Sequence, residues 1–167
     1  MILVSACLLG KNVKCCGGNH HFPRLTKHFD SAVFLPVCPE CLGELPIPRP
    51  PAEIEGGFRG EDVWSGTARV LNKEGGDVTP AFRLGAERAL SLAMAADSPV
   101  TAAILKERSP SCGSHLIYDG TFSGNKIPGS GVTAALLKKH GIPVYSEEDL
   151  TEELLLRLIR EDRKKNA

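Results

Sequence analysis

Six cysteines in 167 residues are the first chemistry this sequence offers. Three of them each follow a short apolar run. Ile2-Leu3-Val4 precedes Cys7, Ala32-Val33-Phe34-Leu35-Pro36-Val37 ends at Cys38, and Val100-Thr101-Ala102-Ala103-Ile104-Leu105 passes through Lys106 to Ser109-Pro110-Ser111-Cys112-Gly113. If those runs are parallel strands, Cys7, Cys38 and Cys112 reach one rim, the carboxyl ends where α/β sheets bind ligands. Soft thiolates select zinc, copper(I) or an iron–sulfur cluster. The plain alternative is three buried thiols that only pack.

The other cysteines leave several chemistries open. Cys38-Pro39-Glu40-Cys41 has the two-residue spacing of a zinc knuckle or a redox pair, but a second such pair is absent. Cys15 and Cys16 are adjacent, so their side chains diverge and the pair reads as loop thiols near the site. His20 and His21 share that loop and read as surface histidines, although either could ligate a metal. A non-catalytic zinc or cluster-binding module and a thiol or sulfur carrier built on Cys38/Cys41 or Cys15/Cys16 therefore stand beside an enzyme.

Glu40, two residues past Cys38, could serve as a general acid or base. Read from its turn alone it is a solvated structural acid, and Glu53 is a brace paired with Arg49. Ser109 and Ser111 flank Pro110, where hydroxyls and backbone amides could donate to cluster sulfurs or to substrate.

Positioning these groups requires strands that alternate with helices. Thr79-Pro80 opens an Ala-rich helix to about Asp97, Gly131 to Lys139 carries a second, and Ser146-Glu147-Glu148-Asp149 caps a third bearing Leu150, Leu154, Leu155, Leu158 and Ile159. With Ile142-Pro143-Val144-Tyr145 as a fourth strand, the pattern predicts one α/β domain: three layers, doubly wound, a mostly parallel sheet with helices on both faces. Residues 1–160 form that domain, and 161–167 a charged, frayed tail. Pro46 to Gly76 breaks the alternation and reads as an excursion with Ala68 to Leu71 as an edge strand. Asp119-Gly120 signals a hairpin joining Leu116-Ile117-Tyr118 to Thr121-Phe122, and Ser123 to Gly131 is a glycine-rich lead into a helix that could hold an anion or simply a loop.

Composition narrows the partners. Twenty basic and twenty acidic residues cancel, so there is no global field for a phosphate backbone and nucleic acid is not an obligate partner. No run is long enough to cross a membrane, and the first ten residues lack a basic leader. Cysteines in a chain of this size and type indicate a reducing compartment, the cytoplasm.

Four stretches carry a family resemblance: Val4-Ser5-Ala6-Cys7-Leu8-Leu9-Gly10; Cys38-Pro39-Glu40 with Pro48-Arg49-Pro50-Pro51-Ala52-Glu53-Ile54; Ser109-Pro110-Ser111-Cys112-Gly113; and Tyr118-Asp119-Gly120-Thr121-Phe122-Ser123. Together they resemble the bacterial thiouracil desulfidase family, over about residues 2 to 149. The resemblance implies a [4Fe-4S] cluster held by three cysteines, here Cys7, Cys38 and Cys112, with one iron free for the sulfur of a small thiolated substrate, a nucleobase such as 2-thiouracil. It implies hydrolytic, non-redox removal of that sulfur, with Glu40 as the carboxylate that activates water and Ser109 and Ser111 as orienting hydroxyls. The sequence departs from the family where an Arg-Tyr-Asp-Gly stretch is replaced by Lys14-Cys15-Cys16-Gly17. Cys15, Cys16 and Cys41 are thus extra thiols, and a different thiolated substrate, a different fate of the sulfur, and ligation by Cys16 or Cys41 instead all stay open.

Overall fold

A computed structural model describes residues 1–30 and 32–167. In chain order the elements are β1 (Ile2–Ser5), α1 (Pro23–Thr26), β2 (Phe34–Val37), α2 (Pro39–Leu42), β3 (Ala52–Ile54), α3 (Gly60–Trp64), β4 (Val70–Asn72), α4 (Thr79–Ala95), β5 (Ala102–Leu105), β6 (Leu116–Tyr118), β7 (Lys126–Pro128), α5 (Val132–Lys139), β8 (Val144–Ser146) and α6 (Glu152–Lys165). Four strands pair in parallel in the order β2-β1-β5-β8. Pro36 is tolerated in β2 because that strand is an edge, where a missing N–H need not break a ladder.

Successive strand residues point to opposite faces, and the apolar runs are buried on both. Ile2, Val4, Ala102 and Ile104 pack with Leu25 of α1 and Leu155, Leu158 and Ile159 of α6. Leu3, Ala103 and Leu105 pack the other way, with Ala93 of α4 and Ala134 and Leu137 of α5. The result is the expected α/β domain, with a parallel sheet between two helical layers. A further cluster joins Ile54 of β3 and Val70 of β4 to Phe82 and Ala86 of α4 and Val132 and Leu136 of α5.

Local differences have physical causes. The edge strand expected within 68–71 is β4, and it pairs antiparallel with β3 in a separate ribbon rather than extending the main sheet. The hairpin partner of β6 is β7, not Thr121-Phe122. Asp119 Oδ1 accepts from Thr121 N at 2.9 Å and Thr121 Oγ1 at 2.6 Å, so its turn closes on itself and the chain returns only at Lys126. Likewise Ser146 to Asp149 is a self-contained turn, with Asp149 Oδ2 accepting from Ser146 N at 2.9 Å. The following helix is capped by Thr151, whose Oγ1 accepts from Leu154 N at 3.0 Å. The stretch expected as a frayed tail continues α6 to Lys165, because Asp162 is buried and accepts from Thr101 Oγ1 at 2.6 Å.

One glycine sets the distance between α4 and α2. A Cβ on Gly85 would lie 1.8 Å from the carbonyl oxygen of Pro39 and 3.0 Å from Gly43 N, both backbone atoms that cannot swing away. Gly85→Ala therefore pushes α2 outward, taking Cys38 and Glu40 with it. We expect a loss of about 1–3 kcal/mol, the usual range for overpacking, read as a lower urea midpoint of the metal-free protein.

Candidate functional site

The end of β1 turns directly into one turn of 3-10 helix, Ala6–Leu9, which carries Cys7 and closes on Gly10 with φ 85°. Cys38 is the residue after β2, in extended conformation at the start of α2, with Pro39 next. Cys112 follows β5 in the Ser-Pro-Ser-Cys-Gly turn. Since β2, β1 and β5 are adjacent and parallel, all three cysteines reach the same rim. Neighbouring strands lie about 4.8 Å apart, so the three ends span about 10 Å. Cys7, Cys38, Cys112, Glu40, Ser109 and Ser111 all line one cavity of about 620 Å³. Cys15 lines it too, while Cys16 is exposed and Cys41 lies off it, 3.9 Å from Nη1 of Arg49.

The turn that presents Cys112 is held from both sides. Ser109 Oγ accepts from Ser111 N at 3.2 Å and Cys112 N at 3.1 Å, and the buried Ser111 hydroxyl donates to Cys112 Sγ at 3.6 Å. The first amides of α5 are spent here: Val132 N donates to Pro110 O at 2.8 Å, and Thr133 N and Ala134 N to Ser111 O at 2.8 and 3.1 Å. That helix terminus therefore holds the serine turn and leaves no open row of donors for an anion. Gly113 is required by proximity, since a Cβ there would stand 2.6 Å from Leu116 O.

Glu107 locks the far side of this turn. Its Oε1 accepts from the backbone N–H of Ser114, His115 and Leu116 at 2.7, 3.0 and 3.1 Å. Burial alone would raise this carboxyl, but these N–H donors outweigh it and hold the group below its ordinary value. A depressed folded-state pKa stabilises the fold above the unfolded value and loses that contribution as pH falls through the folded one. Glu107→Gln should cost about 1.5–3 kcal/mol near neutrality, the range for hydrogen bonds to charged groups. Urea titrations of metal-free protein from pH 7 downward should show the gap between variant and wild type closing in acid. A constant gap would contradict this role.

The carboxylates are arranged differently from the sequence expectation. Arg49 does not brace Glu53; its Nη2 lies 3.2 Å from Glu40 Oε2 and donates to Val13 O at 2.8 Å. Glu53 instead accepts from Gly120 N at 3.0 Å and Phe122 N at 3.1 Å through Oε1, tying β3 to the loop after β6. Glu40 is therefore not a free turn acid. It is held at the cavity wall by a guanidinium whose side chain is only 3% exposed.

The thiols penalise one another's ionisation. Burial, then the nearby Cys112, pushes Cys7 up to about 12; burial, with Cys41 and Cys112, does the same to Cys38. Cys112 is also raised, by burial, against hydrogen bonds from Ser5, Ser111 and Ser109. Left to themselves these groups are protonated and neutral near pH 7, whereas a cationic centre would take them as thiolates and release their protons. Among the described residues, no group of three or more His, Cys, Asp or Glu is arranged to hold a single metal ion. Three soft donors from three strand ends suit a multi-atom cluster better than one ion, so the donor set fits an iron–sulfur group.

Several cavity residues escaped the sequence reading. Lys106, Arg108, Lys14 and Lys126 add positive charge to the wall. Lys106 Nζ is paired with Glu147 at 2.6 Å and Arg108 with Glu148. His20, expected at the surface, lines the cavity, and its pKa is lowered by burial and then by Lys106 and Lys14. The Lys106-Glu107-Arg108 run directly after a strand was a signal for a charged rim, but nothing in its spacing told wall from turn. His21 lies away from the cavity, bonded to Thr26 Oγ1 at 3.0 Å.

With this geometry established, the chain can be set beside known proteins. A family model described as 2-thiouracil desulfurase matches residues 2–149. The uncharacterised protein YbbK of Bacillus subtilis (strain 168) is 50% identical over 152 residues, 91% of this chain and 99% of YbbK. The solved structure of the [4Fe-4S]-dependent thiouracil desulfidase TudS superposes with a TM-score of 0.79 at 45% identity, over 94% of this chain and 96% of that one. No described helix is long and apolar enough to cross a membrane.

Proposed function

Given that the chain belongs to the 2-thiouracil desulfurase family and is a desulfidase, we propose that it hydrolyses a small thiolated pyrimidine such as 2-thiouracil at a [4Fe-4S] cluster held by Cys7, Cys38 and Cys112. Residues 1–160 and the rest of α6 to Lys165 act as one catalytic domain, in the cytoplasm. The observation that supports the reading is the convergence of these three cysteines, Glu40, Ser109 and Ser111 on one cavity. When bound, such a cluster supplies an iron that polarises a carbon–sulfur bond as a Lewis acid.

The chain's own residues do the rest. The overall change is C=S plus water giving C=O plus hydrogen sulfide, with no electrons gained or lost. Glu40 Oε1 or Oε2 takes a proton from water as its oxygen attacks the ring carbon, and Arg49 keeps the carboxylate at the wall. Ser109, partly exposed at the cavity, orients the ring through its hydroxyl. Ser111 is fully buried and acts one step back, by fixing the Cys112 sulfur. Val13 and Val37 add apolar residues to the same lining.

The test is anaerobic reconstitution with iron and sulfide, followed by conversion of 2-thiouracil to uracil monitored by chromatography. We expect four irons and four sulfides per chain and release of sulfide equal to uracil formed. A colourless protein holding one zinc, or a full cluster with no turnover of any thiopyrimidine, would overturn the reading.

A further inference from the structure

We infer that Cys15 is a fourth, exchangeable cluster ligand, closing the iron that three cysteines would leave open whenever substrate is absent. The inference rests on the cluster reading above and adds to it a residue that the three-cysteine scheme does not use. Four cysteines, not three, line the cavity, and four thiolates are the ordinary complement of a [4Fe-4S] centre.

Cys15 is held at this wall by its loop. The segment leaves the Cys7 turn at Gly10 and returns where His20 N donates to Cys7 O at 3.0 Å. Between these points Lys14 N donates to Gly18 O at 3.0 Å and Gly17 N to Lys14 O at 2.9 Å, making a tight turn around Cys15 and Cys16. Arg49 fastens that turn on the Cys38 side, donating its backbone N to Cys15 O at 2.8 Å and its Nη2 to Val13 O at 2.8 Å. The Cys38 thiol donates to the same Val13 carbonyl at 3.9 Å. Of the adjacent pair, then, Cys15 lines the cavity and Cys16 is exposed.

The electrostatics suit an extra thiolate. A fourth one makes the centre more negative by one charge, and Lys14 lines the cavity next to Cys15. Arg49, 7% exposed, also lines it, and its Nε, a buried donor, has no partner among the described residues. Ligand exchange needs no oxidant or reductant: the Cys15 thiolate would leave as the thiol by taking the proton that the thiolated substrate gives up as its sulfur takes that place.

Open and closed irons differ in how easily they are lost, which gives a readout independent of turnover. Anaerobically reconstituted wild type, Cys15→Ala and Cys16→Ala are each treated with ferricyanide and examined by electron paramagnetic resonance and iron counting. Wild type and Cys16→Ala should keep four irons, and Cys15→Ala should lose one and show a several-fold larger three-iron signal. Equal three-iron signals in wild type and Cys15→Ala overturn the inference while leaving the cluster reading intact. Failure of wild type to take up iron overturns both. A Cys15→Ala protein that assembles no cluster at all also overturns it, because an exchangeable cap is dispensable for assembly by the other three.

Discussion

Cys112→Ser protein, reconstituted without oxygen, should emerge colourless and turn over no thiopyrimidine above background. Serine is nearly the size of cysteine, and the pocket around it is already built from hydroxyls and amides, so the fold should survive with an unchanged circular dichroism spectrum. What changes is the donor: a hard alcohol oxygen replaces a soft thiolate. Cys112 is the most buried of the three thiols, which leaves no room for solvent to supply a substitute ligand. We expect kcat/KM to fall by at least about a thousandfold, or about 4 kcal/mol of transition-state stabilisation. Cys41→Ser is the matched control, since Cys41 stands off the cavity and should be replaceable with the cluster intact. A carrier working through Cys38 and Cys41 predicts the reverse pattern: Cys112→Ser active and Cys41→Ser dead. Full iron content in Cys112→Ser would remove it from the ligand set.

The reach of the sequence differed between parts of the molecule. Strand ends were legible because runs such as Ile2-Leu3-Val4 and Ala102–Leu105 are apolar on every residue, as strands buried on both faces must be. A cysteine directly after such a run is placed by topology alone. The Glu40–Arg49 pair was not legible, because the partner of Arg49 depends on how a proline-rich segment is laid across the rim. Its backbone N binds Cys15 O and its guanidinium reaches Val13, contacts that no spacing rule encodes. The return arm of the hairpin escaped for another reason: Lys126–Pro128 is a three-residue strand with exposed Lys and Pro, too short and too polar to show alternation. Adjacency could not say which of Cys15 and Cys16 belongs to the cavity: Cys15 lines it and Cys16 is exposed, and the Arg49 contact that fixes the backbone at Cys15 belongs to tertiary structure.

Glu40→Gln should separate chemistry from assembly. The amide keeps the size of the side chain and an oxygen that can still accept from Arg49 Nη2, so the wall and the cluster should remain. It cannot take a proton from water. If Glu40 is the general base, kcat falls by about 10²–10⁴, the usual worth of a positioned acid or base, while iron content and KM stay near wild type. Glu40→Asp should recover part of the rate, because the basic group returns on a shorter arm. Glu53→Gln is the informative comparison, as Glu53 also lines the cavity but is committed to Gly120 and Phe122 amides. Its loss should appear in stability before it appears in kcat. Should Glu40→Gln retain half or more of the wild-type rate with a full cluster, the water must be activated by another group, and Glu40 would be left with holding Arg49 in place.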